Sequence, residues 1–271
     1  MSPTGPHDLA ALAQAAGAIA QRAARAILEV YEAPFTVTSK DDRSPLTAAD
    51  LAANELIVGA LRELTPQLPV LSEESSSVAW HERSRWSSYW LVDPLDGTRE
   101  FIKRNGEFTV NIALIEQHQP VLGVVQTPVT SELACAWRGG GAWLSNPARA
   151  AAPRRIHTRV RAATPVVAGS RSHASAREAE LLARLGPCEQ WPLGSSLKFV
   201  RIAAGEADLY LRLGPTSEWD TAAGQCVLEQ AGGAVLDWQG QRLRYNARDS
   251  LINGDFLALG DPGADWRILL E

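Results

Sequence analysis

The residues Tyr89-Trp90-Leu91-Val92 run without a break into Asp93-Pro94-Leu95-Asp96-Gly97-Thr98. Short, aromatic and β-branched, the first four read as a buried strand. That strand ends in two carboxylates three residues apart, so the fold must bring charge to the end of a core element. Pro94 keeps the turn from closing into an early helix. Gly97 permits a tight backbone and close approach of a ligand. A helix starting at Thr98 would aim its first N–H groups at the same spot, which suits a phosphate. Two hard carboxylates beside such a helix end call for a hard cation such as Mg²⁺.

Three further acidic elements are available to complete this site. Leu71-Ser72-Glu73-Glu74-Ser75 places two glutamates after a short apolar run, Trp219-Asp220 begins a helical pattern, and Thr47-Ala48-Ala49-Asp50 puts another carboxylate in a helix. Taken singly, Asp220 reads as a helix cap and Glu73 and Glu74 as surface charge. Clustered, they must be paired or metal-bound. Away from the acids, Lys198 sits one turn into a helix begun by Ser195, and both could meet a phosphate there. Arg212 leaves a strand, able to pair with the same group or to stack on a base. On its own Lys198 reads as a surface lysine and His173 as a turn histidine.

Around these motifs, helices and strands alternate in mixed order. Asp8–Tyr31 reads as an amphipathic Ala-rich helix capped by Asp8, and Ser44–Leu64 as a second helix with Pro45 at its start. Strands are expected at Phe108–Ile115, Val121–Gln126, Leu133–Trp137, Pro165–Ala168, Leu209–Leu213 and Ala234–Leu236. Helices are expected at Ala176–Leu185, Leu197–Ala204 and Thr221–Glu229. The class is α/β or α+β with layered sheets and helices. The Ala-, Pro- and Arg-rich stretch Asn146–Arg161 is the best boundary between an N-terminal half (1–150) and a C-terminal half (151–271).

Composition narrows function by exclusion. The chain has 271 residues, a net charge of −5 and 45% hydrophobic residues. No basic stripe marks a nucleic-acid binder, and no segment reads as a membrane span or signal peptide. Cys135, Cys188 and Cys226 are odd in number and lack metal-ligand spacing, so they read as small core hydrophobes in a reducing compartment.

Asp-Pro-Leu-Asp-Gly-Thr, with Glu-Glu-Ser before it and Trp-Asp-Thr-Ala-Ala-Gly after it, resembles the inositol monophosphatase superfamily. The stretch Asp96–Leu114 is more similar to bacterial 3'(2'),5'-bisphosphate nucleotidases of the CysQ type. Arg99-Glu100-Phe101 stands where inositol monophosphatases usually have Thr-Asn-Phe, although Arg99 occupies a position where lysine is common. Ser170-Arg171-Ser172-His173, Gly194–Phe199 and Tyr210-Leu211-Arg212 match as well, and the resemblance covers about residues 8–257.

The resemblance implies a layered α/β/α/β/α sandwich and Mg²⁺-dependent, lithium-inhibited hydrolysis of adenosine 3',5'-bisphosphate to AMP and phosphate, which removes a by-product of sulfur assimilation. It implies two or three Mg²⁺ ions held by Glu73, Asp93, Asp96, Asp220 and the carbonyl of Leu95, several of which would also face the substrate. Asp50 and Thr98 would act on the attacking water, with Gly97 and Thr98 N–H groups on a phosphate oxygen. His173, Ser195, Lys198 and Arg212 would surround the nucleotide. It implies a cytoplasmic enzyme or one peripheral at the inner membrane, and leaves monomer and homodimer both open. An inositol or sugar monophosphatase, and a non-catalytic nucleotide-binding protein, are the alternatives.

Overall fold

The computed structural model describes residues 8–39, 45–149, 151–170, 176–266 and 269. In chain order its helices are α1 (Leu9–Glu32), α2 (Ala48–Leu64), α3 (Trp80–Arg83), α4 (Thr98–Ile102), α5 (Ala176–Leu185), α6 (Leu197–Ala203) and α7 (Glu218–Gln230). Its strands are β1 (Val37–Ser39), β2 (Pro45–Thr47), β3 (Val70–Ser72), β4 (Ser88–Asp96), β5 (Thr109–Glu116), β6 (Gln119–Thr127), β7 (Glu132–Trp137) and β8 (Gly141–Asn146). They continue as β9 (Ala151–Ile156), β10 (Val166–Ser170), β11 (Glu189–Leu193), β12 (Leu209–Arg212), β13 (Thr216–Ser217), β14 (Ala234–Asp237), β15 (Ile252–Asn253) and β16 (Phe256–Leu259).

A seven-stranded sheet runs in the order β3-β4-β5-β6-β7-β8-β9, parallel only between β3 and β4. A five-stranded sheet runs β11-β10-β12-β16-β14. The two-residue alternation of strand side chains sorts the core. On β4, Trp90 and Val92 join Ile19, Ile27, Ile57 and Leu61 of α1 and α2. Tyr89 and Leu91 point the other way, into the cluster that holds Phe199, Ala222, Val227, Tyr210 and Phe256. Leu181 and Leu182 of α5 cover the far face of the smaller sheet with Val167, Leu209 and Leu257. The layers are therefore α1/α2, large sheet, α6/α7, small sheet, α5, which is the α/β/α/β/α order that the resemblance implied.

Close approach between layers depends on small residues. The buried stripe of α1 includes Ala13, Ala16, Ala20 and Ala23, so its axis can sit near the sheet. A Cβ on Gly123 of β6 would lie 2.4 Å from the carbonyl oxygen of Ala223, so only glycine lets α7 rest there.

Some local readings shift. Asp8 caps α1, accepting from the N–H groups of Ala10 and Ala11, as expected. The second helix begins at Ala48, because Thr47 and Asp50 form its capping box while Pro45 belongs to β2. Within the stretch read as a boundary, Ala151–Ile156 is β9, the edge strand of the large sheet. Cys226 is buried as expected, whereas Cys135 and Cys188 are half-buried.

Candidate active site

The acidic turn grows directly out of β4. The β4–β5 register slips between Asp93 and Asp96, and Gly97 follows with φ of 93°, a left-handed backbone that glycine adopts without penalty. A Cβ there would also crowd the Glu107 carbonyl and Ser195. Helix α4 then starts at Thr98, as the sequence predicts.

Asp93 is buried to 1% exposure. Its Oδ1 accepts the Leu95 N–H at 3.0 Å, and its carboxyl shares a hydrogen bond with Glu73. Two carboxyl groups can share such a bond only around a proton, whose place a cation between them would take. Burial pushes Asp93 well above the ordinary carboxylate range, and the charges of Glu73, Asp96 and Asp220 push it further. Asp220 is raised in the same way, by burial and then by Asp96. Burial raises Asp96 too, against the opposing effect of Lys198 and of donors from Ser196 and Asn111. Glu73, Asp93, Asp96 and Asp220 thus feel one another across a single site, even though they reach it from three separate segments, with Asp93 and Asp96 both on β4. Among the described residues no three of them are gathered closely enough to hold an ion as they stand, since several of their oxygens turn to internal donors. Mutually repelling carboxylates, Asp93 buried and Glu73, Asp96 and Asp220 half-buried, fit a hard divalent cation.

Asp50 lies 2% exposed at the third position of α2. Its Oδ2 accepts from the N–H (2.8 Å) and the hydroxyl (2.6 Å) of Thr47. Its Oδ1 accepts from Thr98 Oγ1 at 3.2 Å, and Thr98 Oγ1 also lies 3.4 Å from the Leu95 carbonyl. The two residues predicted to act on water are therefore joined across 48 positions of sequence.

The cationic side of the site is built at the start of α6. Lys198 is 5% exposed, not a surface lysine. Its Nζ donates to the carbonyls of Ser195 (2.6 Å) and Leu193 (3.2 Å) and sits 5.0 Å from the centroid of Tyr210. Burial lowers its pKa to about 8. Ser195 takes a left-handed φ of 47°, and its hydroxyl oxygen is buried with no partner among the described residues. The same holds for Nε of Arg212, whose Nη2 donates to the Pro215 carbonyl. His173 lies outside the described residues.

Several residues of the site went unassigned from sequence. Ser196 donates its N–H (2.7 Å) and hydroxyl (2.9 Å) to Asp96 Oδ2, and Asn111 lies 1% exposed within reach of both. A lone asparagine inside the apolar run of β5 was the available signal. Glu107 accepts the Gly194 N–H at 2.8 Å and so ties the 194–196 turn to the 97–108 segment. Glu218 is fully buried, accepts the Asn246 N–H, and is pushed by burial up to about 7.

A sequence model described as the inositol monophosphatase family matches residues 8–260. The chain belongs to the inositol monophosphatase family. Within that family it is 50% identical over 240 residues to the 3'(2'),5'-bisphosphate nucleotidase CysQ of Escherichia coli K12, covering 88% of this chain and 95% of that one. The crystal structure of CysQ from Bacteroides thetaiotaomicron, a bacterial member of the family, superposes with a TM-score of 0.81 at 40% identity, covering 92% and 97% of the two chains. An inositol monophosphatase from Zymomonas mobilis superposes with a TM-score of 0.78 at 25% identity over 97% and 98%. Enzymes of the inositol monophosphatase family generally use Mg²⁺. No helix among the described residues is long and apolar enough to cross a membrane.

Proposed function

We propose that the protein hydrolyses adenosine 3',5'-bisphosphate to AMP and phosphate, as a cytoplasmic enzyme that clears a by-product of sulfur assimilation. The observation that carries this reading is the Thr98–Asp50 hydrogen bond set against the mutually repelling carboxylates of Glu73, Asp93, Asp96 and Asp220. An inert nucleotide binder has no use for such a pairing. Substrate choice follows the relatives: the one named as a bisphosphate nucleotidase is 50% identical and the structure named CysQ 40%, the inositol monophosphatase 25%.

Glu73, Asp93, Asp96, Asp220 and the Leu95 carbonyl would hold two or three Mg²⁺ ions, which when bound supply Lewis-acid stabilisation of the phosphoryl oxygens and acidify water. The chain's own residues do the rest. Thr98 Oγ1 donates to Asp50, which leaves its lone pairs free to accept a hydrogen bond from the attacking water. Asp50 Oδ2 is fixed by Thr47, so the Thr98 hydroxyl is held in one orientation. The N–H groups of Gly97 and Thr98 hold a phosphate oxygen. Water attacks phosphorus as the P–O3' bond breaks. The sugar oxygen leaves with a proton as AMP, and the water oxygen remains on inorganic phosphate.

Ser195, Lys198 and Arg212 take the 5'-phosphate, which is not cleaved, with His173 beside the nucleotide. Two buried donors without partners among the described residues, Ser195 Oγ and Arg212 Nε, support this placement, because an orphaned buried polar group is costly until a ligand satisfies it. Lys198 has a third ammonium proton beyond the two that its carbonyl bonds use.

The test is phosphate release from adenosine 3',5'-bisphosphate beside inositol 1-phosphate in Mg²⁺, with and without Li⁺. The reading expects strong preference for the nucleotide and lithium inhibition. Preference for inositol 1-phosphate would replace it with the sugar-phosphatase reading.

A further inference from the structure

Among the described residues the carboxylate of Asp96 is held through one oxygen only. Among the described residues, Oδ2 accepts from Ser196 N–H (2.7 Å), Ser196 Oγ (2.9 Å) and Asn111 Nδ2 (3.3 Å), while Oδ1 accepts nothing. The donors are themselves ordered by a chain of hydroxyls and an amide. Thr109 Oγ1 lies 3.1 Å from Asn111 Oδ1 and 3.5 Å from Asp96 Oδ2, so its single proton goes to the nearer amide oxygen. That choice turns the Asn111 NH₂ toward Ser196 Oγ, 2.9 Å away. Having accepted there, the Ser196 hydroxyl directs its own proton outward. Two acceptors are in range, Asp96 Oδ2 and the Asp220 carbonyl at 2.8 Å. The carboxylate takes it, because a charge-assisted bond is the stronger and a carbonyl in the first turn of α7 has a helical donor four residues on. Thr109, Asn111 and Ser196 are all buried to 1% exposure or less, so water does not compete for these bonds.

We propose that Ser196 is a positioning residue for Asp96. It ends a relay, Thr109 to Asn111 to Ser196 to Asp96, that fixes Oδ2 and thereby presents Oδ1 in one direction toward Asp93 and Asp220. The relay also ties the three parts of the site together, because β5 carries Asn111, Ser196 stands at the cap of α6, and Ser196 Oγ touches the backbone of Asp220. This rests on the reading of Asp96 as a metal ligand. Groups that orient a ligand from behind commonly alter metal affinity by about 10- to 100-fold when removed. Ser196→Ala keeps the backbone N–H bond, so the lower end of that range applies.

The experiment titrates Mg²⁺ against wild type, Ser196→Ala and Asp96→Asn, following binding by calorimetry and the unfolding temperature, with metal-free unfolding recorded in EDTA. Expected for Ser196→Ala is a Mg²⁺ half-saturation raised about tenfold, metal-free unfolding close to wild type, and turnover restored at high Mg²⁺. Asp96→Asn should shift the half-saturation further. If Asp96→Asn shifts it and Ser196→Ala does not, the positioning role is wrong while the metal reading stands. Metal-free Ser196→Ala that unfolds well below wild type marks a structural role and overturns the proposal too. No shift with Asp96→Asn removes the metal reading itself.

Discussion

Asp50 and Asp220 occupy the same local position in two unrelated helices. Each is the third residue of its helix and closes a capping box, using Oδ2 to accept the N–H of its cap residue, Thr47 at 2.8 Å and Ser217 at 2.9 Å. One oxygen of each carboxylate therefore closes a helix end, and the other oxygen of Asp50 accepts from Thr98 in the site. The same side chain serves the fold and the chemistry, so substitutions here should show both effects.

Thr98→Ala and Asp50→Asn are expected to lower kcat with little change in KM, since both groups are assigned to the water and not to the nucleotide. Because they share one hydrogen bond, the double variant should lose scarcely more than the worse single one. Asp50→Asn should in addition lower stability by about 1 kcal/mol through the weakened cap. Steady-state kinetics of the cycle and urea denaturation check the two statements. Additive kinetic losses would count against a shared water.

Asp93→Asn should abolish activity yet stabilise the metal-free protein. Every influence on Asp93, burial first, raises its pKa above that of the unfolded chain. A folded state with the higher pKa binds more protons, so its stability falls as pH rises above the unfolded value of about 4. The charged Asp93 therefore costs stability at neutral pH without a cation, and the neutral asparagine relieves that cost. Unfolding temperatures in EDTA across pH should converge at low pH and separate in favour of the variant near neutrality. Mg²⁺ should raise the wild-type value and leave the variant less affected.

Lys198→Ala should weaken kcat/KM on adenosine 3',5'-bisphosphate by about 10- to 100-fold, and much less on adenosine 3'-monophosphate, which lacks the distal phosphate. Much of the loss should lie in KM, although remote binding also reaches kcat. The comparison of both nucleotides on both proteins is the measurement. Equal losses would assign Lys198 to holding the Leu193 and Ser195 carbonyls instead.

Asp208 offers a prediction away from the site. It is 1% exposed and accepts from Arg159 Nε (2.9 Å), Arg159 Nη2 (2.6 Å) and Val166 N (2.7 Å). Burial opposes its ionisation, but these donors hold its pKa below the ordinary value. A depressed carboxylate contributes stability that is present above the unfolded pKa and lost as pH falls through the folded one. Asp208→Asn should cost about 2–3 kcal/mol near neutral pH, less than the ~3–5 kcal/mol of a fully buried pair because Arg159 reaches solvent. The gap between wild type and variant in denaturant melts should narrow below about pH 4.

The elements legible in the sequence were those whose signal is local. The Tyr89–Thr98 segment states its own strand, turn and helix start, because burial, Pro94 and Gly97 act within a few residues. The Ala-rich helix after Asp8 and the helix Ala176–Leu185 follow from periodicity in the same way. Strands β9, β11 and β16 were not legible. Their pairing partners lie elsewhere in the chain, and Ala151–Ile156 or Glu189–Leu193 carries no alternation of its own. The acidic residues of the site could be picked out by type and by the resemblance, but not which of their oxygens is free. The Thr98–Asp50 bond was expected with the resemblance and is present at 3.2 Å, whereas only the tertiary structure joined Ser196 to Asp96 across 100 positions. Only it withdrew Lys198 from the surface. A hydrogen bond between distant segments depends on how the layers pack, and no pattern within either segment carries that information.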